Sequence, residues 1–209
     1  MPALARTEVA ARIIRNDKAF RDVVRVAGPP PARRNAPVNQ RFADLVESIV
    51  SQLLATAAAD TIHARVVAVC GGTVNEDSIL RAGADTLKSA GLSRTKAEAM
   101  VELALHIQDR RIDIARHGRM SDEQIVREVT TVRGIGPWTA QMYLMHTLAR
   151  RDVWPAGDYG VRAGWSILHG LGPLISEVEL REEGARFSGM RSDVAWYCWQ
   201  AVHFAREAK

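Results

Sequence analysis

Residues 132–140 of the sequence read Val132-Arg133-Gly134-Ile135-Gly136-Pro137-Trp138-Thr139-Ala140. Gly134 and Gly136 can both adopt a positive φ, and proline is favoured in the first turn of a helix. The segment therefore predicts a hairpin between one helix over about 122–130 and a second over about 137–149. Amides at a helix N-terminus can bind phosphate, and glycines let a phosphate backbone approach closely. For Gly-Ile-Gly alone, an ordinary turn between helices is an equally good interpretation.

The sequence on either side of the hairpin also predicts helices. Apolar residues recur at steps of three and four in two segments, as on the buried face of a helix. The first segment contains Phe42, Leu45, Val46, Ile49, Val50 and Leu53, and the second contains Ala97, Met100, Val101, Ala104 and Leu105. Ser121 with Gln124, and Ser176 with Glu179, fit capping boxes. No run shows sustained alternation of apolar and polar residues, so we predict an all-α protein.

Composition narrows the class of protein. The 209 residues carry 28 Lys and Arg against 24 Asp and Glu, and this net charge of +4 mildly favours a polyanionic partner. Neither a signal peptide nor an apolar run of membrane-spanning length is apparent. We therefore expect a soluble cytoplasmic protein with no membrane partner, associated with the nucleoid in a bacterium. Cys70 and Cys198 are too few for a four-thiolate zinc or iron–sulfur site, and we assign no function to the six histidines.

Four segments, in this order, resemble the helix-hairpin-helix (HhH-GPD) DNA glycosylase superfamily, most nearly its DNA-3-methyladenine glycosylase II branch. They are Phe42 to Arg65, with Ser48-Ile49-Val50-Ser51-Gln52-Leu53-Leu54; Gly91-Leu92-Ser93-Arg94-Thr95-Lys96-Ala97; the hairpin followed by Pro155-Ala156-Gly157-Asp158-Tyr159; and Arg191-Ser192 before Trp196-Tyr197-Cys198-Trp199. The similarity runs from about residue 39 to residue 202. It implies one compact unit over residues 1–209, with a central helical lobe at about 39–150, a second lobe formed by 1–38 and 151–209, and an active-site cleft between them.

The resemblance implies a base-excision-repair enzyme acting on double-stranded DNA that contains damaged bases. Such an enzyme flips out alkylated purines, 3-methyladenine and 7-methylguanine, and hydrolyses the glycosidic bond to leave an abasic site. Asp158 takes the position of the catalytic aspartate, where a fixed carboxylate can stabilise positive charge on the sugar. The other interpretation of Asp158 is a helix N-cap, and both roles can hold at once.

Trp138 occupies the position at which strand-cleaving members of the superfamily carry a lysine that forms a Schiff base. Tryptophan cannot do so, which implies a monofunctional enzyme. An aromatic ring there can also attract a cationic base, although a packed core residue is an open alternative. We place Tyr159, Met142 and Met190 in the same substrate pocket. Relatives often have tryptophan and proline near residues 187–192, where this chain reads Phe187-Ser188-Gly189-Met190-Arg191-Ser192, so the pocket floor is less aromatic.

Leu53 matches the position at which related enzymes insert an apolar wedge between bases, although it also continues the apolar stripe of its predicted helix. The resemblance implies DNA contacts by seven residues in all. They are Gln52, Leu53, Ser93, Lys96, Gly134, Gly136 and Thr139. It further implies a structural Na⁺ or K⁺ on the backbone carbonyls of Thr130, Val132 and Ile135, no required cofactor, no iron–sulfur cluster and a monomeric protein.

Two alternatives stay open. A glycosylase of the same fold could act on another lesion, such as an ethenoadduct, a deaminated base or an oxidised base. A non-catalytic helix-hairpin-helix protein would bind DNA and release no base, although the presence of Asp158 argues against it.

Overall fold

A computed structural model describes residues 5–54 and 56–207 of the chain, and these residues form helices and loops without any strand. The all-α prediction is confirmed. The α-helices are α1 (Arg6–Asn16), α2 (Arg21–Ala27), α3 (Val38–Ser51), α4 (Thr56–Val69), α5 (Glu76–Ser89), α6 (Arg94–Gln108), α7 (Asp122–Val129), α8 (Pro137–Met142), α9 (Tyr159–Leu168), α10 (Glu177–Glu183) and α11 (Arg191–Glu207). Short 3₁₀ helices occupy Lys18–Phe20, His117–Arg119 and Gly184–Phe187, and a π-helix occupies Tyr143–Thr147. Among the described residues, no helix has the length and apolar character needed to cross a membrane.

Local side-chain bonds explain where several helices begin. Ser121 precedes α7, and its hydroxyl accepts a bond from the Gln124 amide at 3.2 Å, while the Gln124 side chain accepts one from the Ser121 amide at 2.9 Å. The predicted capping box at Ser176 is also present before α10. A third box, Asn75 with Ser78 before α5, was not predicted, because the usual capping-box motif has Glu or Gln at its last position.

The described helices belong to two compact units. The first, which we call the hairpin unit, is Arg34–Ala149 and contains α3 to α8. The second, which we call the carboxylate unit, combines the chain up to Arg33 with the chain from Arg150 onward and contains α1, α2 and α9 to α11. The residues with predicted DNA contacts lie in the hairpin unit, and Asp158 lies in the carboxylate unit.

Helix α3 packs on α4, α6 and α8 in the hairpin unit and buries Leu45 and Ile49 completely. Arg41 is also buried in this helix, and its guanidinium donates to the Ile114 carbonyl at 2.8 Å and to Asn35 Oδ1 at 3.3 Å. These bonds satisfy a charged group that would be costly to bury alone. Helices α5 and α6 form a second packed pair beside α3 and α4.

The core of the carboxylate unit depends on close packing between α9 and α11. A Cβ added to Gly164 in α9 would lie 1.9 Å from the Cys198 carbonyl oxygen, so only glycine permits this approach. Beside it, Phe20, Trp165 and Phe187 are buried and meet edge to face, with ring centroids 5.7–6.1 Å apart. Such edge contacts are a favoured arrangement of aromatic rings.

Two predicted helices end earlier than expected. Helix α3 stops at Ser51, so Leu53 lies in a turn and the prediction that it continues the buried stripe is wrong. The helix after the hairpin was expected to reach about residue 149, but α8 ends at Met142 and widens into the π-helix over Tyr143–Thr147. The Leu148 amide then bonds to the Tyr143 carbonyl, five residues back, at 3.1 Å. The spacing of apolar residues indicates which face of a helix is buried. It does not indicate where α3 ends or that α8 continues as a π-helix.

Candidate active site

The hairpin joins the C-terminal end of α7 to the N-terminal end of α8. Gly134 has φ +92°, and a Cβ added there would lie 3.1 Å from the Ala99 Cβ atom, so both conformation and packing favour glycine. Gly136 caps α8 with φ −95° and ψ 176°, so the expectation of a positive φ is wrong at this position. Apart from Gly136 itself and its two chain neighbours, no atom of the described residues lies within 4 Å of a Cβ added to Gly136. Its backbone is therefore open to a partner on that side.

Leu53 stands out from the hydrophobic residues around it. Its backbone is left-handed, with φ +56°, and its side chain is fully exposed, at 103% of the reference area. For an L-residue this conformation costs about 1–2 kcal/mol. A strained backbone that carries an exposed leucine is typical of a functional contact and excludes the interpretation of Leu53 as core.

The turn that carries Leu53 is bonded to the hairpin. The Gln52 amide nitrogen Nε2 donates to the Gly134 carbonyl at 3.0 Å and to Thr139 Oγ1 at 2.8 Å. The Lys96 ammonium donates to the carbonyls of Val50 and Gln52 at 2.8 Å and 2.6 Å. Partial burial lowers the pKa of Lys96 from its ordinary value.

Several of the residues expected to touch DNA therefore use their polar groups within the protein. Thr139 is buried, and its hydroxyl accepts the bond from Gln52. Ser93 caps α6 by accepting a 3.3 Å bond from the Lys96 amide. Direct DNA contact by these side chains, and by Gln52 and Lys96, stays a prediction.

Asp158 lies in the carboxylate unit at the residue before α9. Its Oδ1 atom accepts a 2.7 Å bond from the Val161 amide, so the N-cap interpretation is confirmed. The same oxygen accepts a 2.9 Å bond from the indole Nε1 of Trp199 in α11. Negative charge is stabilised near the N-terminus of a helix. Two donors and a helix terminus thus fix the position of this half-buried carboxylate.

The sequence motifs gave no indication that Trp199 is a partner of Asp158. Gly160 makes the contact possible, because a Cβ there would lie 2.8 Å from the Trp199 ring carbon Cδ1 and 3.1 Å from Asp158 Oδ1. Gly164, one helical turn later, faces α11 in the same way. A pair of glycines four residues apart, immediately after Asp158, was therefore the sequence signal that another helix packs closely against α9.

The structure places the four predicted pocket residues in different environments. Trp138 is half-buried in the first turn of α8, and Met142 is buried one turn later on the same face of that helix. Tyr159, the first residue of α9, is 67% exposed. Met190 is buried just before α11. Their contact with a substrate stays a prediction.

The hairpin carbonyls were the predicted cation ligands. The Val132 carbonyl accepts a 3.1 Å bond from the Ile135 amide, whereas no backbone amide of residues 5–54 and 56–207 donates to the carbonyls of Thr130 and Ile135. Within the same residues, no group of three or more His, Cys, Asp and Glu side chains is arranged to hold a metal ion.

The family is established by the similarity that spans both units. Residues 46–188 match the HhH-GPD superfamily of base excision DNA repair proteins. The chain belongs to this superfamily. DNA-3-methyladenine glycosylase 1 of Schizosaccharomyces pombe is 25% identical over 196 residues, which cover 92% of this chain and 86% of that protein.

Two solved structures have a similar fold. The 3-methyladenine DNA glycosylase of S. pombe in complex with abasic DNA aligns with a TM-score of 0.86 and 24% identity, over 93% of this chain and 96% of that chain. The DNA-3-methyladenine glycosidase of Bacillus halodurans aligns with a TM-score of 0.75 and 29% identity, over 95% and 91%. The predicted resemblance and the predicted glycosylase fold are therefore confirmed.

Proposed function

We propose that this protein is a monofunctional DNA glycosylase that removes alkylated purines, 3-methyladenine and 7-methylguanine, from double-stranded DNA and leaves an abasic site. The observation that carries the proposal is the carboxylate of Asp158, fixed at one oxygen by the Val161 amide and the Trp199 indole. Membership of a base-excision-repair family and relatives named 3-methyladenine glycosylases support the substrate class.

The reaction replaces the bond between the sugar C1′ and the base nitrogen with a bond from C1′ to a water oxygen. The electron pair of the broken bond leaves with the base, which departs as a neutral molecule because alkylation had made it cationic. Positive charge develops on the sugar, and Asp158 stabilises that charge and orients the water, whose proton passes to the carboxylate or to solvent. A carboxylate that is already held in place needs little reorganisation during the reaction.

Water, and no amine of the protein, is the proposed nucleophile. The chain has four lysines, at positions 18, 88, 96 and 209, whereas position 138 is tryptophan. The Lys96 ammonium is bonded to two backbone carbonyls. We therefore expect no Schiff-base intermediate and no strand cleavage by this enzyme.

DNA binding is proposed for the hairpin unit. The open backbone at Gly136 would contact phosphates, which position the enzyme without selecting a base sequence. The exposed Leu53 side chain would enter the base stack beside the flipped nucleotide and fill the gap.

We propose that Na⁺ or K⁺ binds the carbonyls of Thr130, Val132 and Ile135 and adds positive charge near the phosphate. The carbonyls of Thr130 and Ile135 support this assignment, because no backbone amide of the described residues donates to them. Duplex affinity should be higher in NaCl or KCl than in tetramethylammonium chloride at equal ionic strength. Equal affinity in all three salts would contradict the assignment. We propose no other cofactor, so base release should continue in EDTA.

The test of function is release of 3-methyladenine and 7-methylguanine from methylated duplex DNA. Asp158→Asn keeps the shape of the side chain and removes its charge, so release should fall by a factor of 100 or more, roughly the loss caused by removing one strong electrostatic contact. Asp22→Asn is the matched control, because Asp22 lies in the same unit and is 81% exposed. Borohydride should trap no enzyme on the DNA.

The same assay separates the alternatives. Absence of alkylpurine release, with release of an ethenoadduct, deaminated base or oxidised base from a lesion panel, would reassign the substrate and keep the enzyme class. Duplex binding without release of any base would favour a non-catalytic DNA-binding protein. An active Asp158→Asn variant would remove Asp158 from the mechanism.

A further inference from the structure

The C-terminal end of α3 is closed by a lysine from another helix. The last turn of α3 contains no basic residue of its own. Lys96, near the start of α6, places its ammonium 2.8 Å from the Val50 carbonyl and 2.6 Å from the Gln52 carbonyl. Carbonyls at a helix C-terminus lack partners within the helix, and a cation there is favourable. Lys96 therefore fixes the backbone that enters the Leu53 turn.

Gln52 connects that backbone to the hairpin. Its carbonyl accepts the bond from Lys96, while its side-chain amide donates to the Gly134 carbonyl and to the buried hydroxyl of Thr139. The residue immediately before Leu53 is thus held through its main chain and its side chain at once. We call Lys96 and Gln52, with these four bonds, the strut.

The exposed side chain of Leu53 gives its turn no buried apolar contact. Its side chain is fully exposed, and its φ of +56° is unfavourable for a leucine. The next residue, Leu54, closes the turn through a 3.3 Å bond from its amide to the Ser51 carbonyl. The bonds of the strut add to this one, because they hold Gln52, the residue before Leu53, from outside the turn.

We propose that Lys96 and Gln52 are positioning residues, which hold Leu53 ready for insertion into DNA and tie it rigidly to the hairpin. The inference rests on the proposed function, because it assigns a wedge role to Leu53. A phosphate backbone gripped by the hairpin would then meet the wedge at a fixed distance. The strut would assist base flipping while contributing little to the affinity for intact duplex.

This role differs measurably from a phosphate contact by Lys96. A lysine that neutralises a phosphate releases a counterion, and removing it reduces the slope of log K against log salt by about one unit. A lysine that holds the Leu53 turn leaves that slope unchanged. The variant Lys96→Met keeps the length of the side chain and removes the ammonium. Lys88→Met is the matched control, because Lys88 is an exposed lysine of the same unit.

We would measure single-turnover base release and the salt dependence of duplex binding for Lys96→Met, Leu53→Ala and the double variant. Lys96→Met should slow release about tenfold with an unchanged salt slope, and in the Leu53→Ala background it should cause no further loss, as expected for residues that act together. Lys96→Arg should recover part of the rate. An additive double variant, a reduced salt slope or an equal loss in Lys88→Met would overturn the proposal.

Amide hydrogen exchange tests the strut without any reaction. In Lys96→Met the amides of Gln52 and Leu54 should exchange faster, while the core of α3 keeps its protection. Unchanged exchange at both amides in Lys96→Met would refute the strut, whether or not the wild type is active. Faster exchange in Lys96→Met together with an inactive wild type would refute only the proposed function. Gln52→Ala removes the two bonds to the hairpin and gives the same double-variant test if Lys96→Met does not fold.

Discussion

The bond between Trp199 and Asp158 allows a quantitative prediction. Trp199→Phe keeps an aromatic ring and removes the indole N–H that lies 2.9 Å from Asp158 Oδ1. Hydrogen bonds to charged groups contribute about 1.5–3 kcal/mol, but Asp158 is half-buried and water can replace part of the lost bond. The Val161 amide, at 2.7 Å, still holds the same oxygen. A loss of about 1–1.4 kcal/mol of transition-state stabilisation remains, which corresponds to roughly a five- to tenfold slower reaction.

The assay is single-turnover release of 3-methyladenine from duplex DNA at saturating enzyme, so that binding does not limit the rate. Trp196→Phe, three residues earlier on α11, is the matched control because Trp196 is also a half-buried tryptophan. Its rate should equal that of the wild type. A Trp199→Phe rate within twofold of the wild type would refute the view that this bond positions the carboxylate for reaction.

Three further predictions concern stability and reactivity. Gly164→Ala places a methyl group 1.9 Å from the Cys198 carbonyl oxygen, so the variant should lose at least about 3 kcal/mol of unfolding free energy. Chemical denaturation measures this loss, and a value below about 1 kcal/mol would contradict the close packing. Burial raises the pKa of the Cys198 thiol, so iodoacetamide should modify it only after unfolding, and rapid labelling of Cys198 in the folded protein would contradict its burial. Burial also lowers the pKa of His117 in the folded protein, against the attraction of Glu128, so the unfolded chain binds the proton more readily. The buried neutral His117 therefore stabilises the fold above a pH of about 6.5, and this stability is lost as the pH falls toward the folded pKa. The wild type should lose more unfolding free energy than His117→Gln between pH 7 and pH 5. Equal losses would refute the lowered pKa of His117.

The sequence predicted the features that depend on neighbouring residues. The capping boxes at Ser121 and Ser176 join groups three residues apart, so the motif alone places the start of α7 and α10. Gly134 turns the hairpin with the positive φ that its residue type allows. The order of four motifs was enough to identify the family and the helical fold, because each motif constrains a short stretch of chain and their order constrains the whole.

The tertiary structure decided the features that depend on distant residues. Leu53 is an apolar residue at the spacing expected for the buried face of a helix, yet α3 ends before it. The carbonyls of Val50 and Gln52 instead accept bonds from Lys96, which lies more than forty residues later in the sequence. Trp199 bonds to Asp158 across 41 residues of sequence. Residues within one helical turn meet in any helix, so their bonds follow from sequence spacing. Residues on different helices meet only when packing brings those helices together, and no local pattern determines that approach.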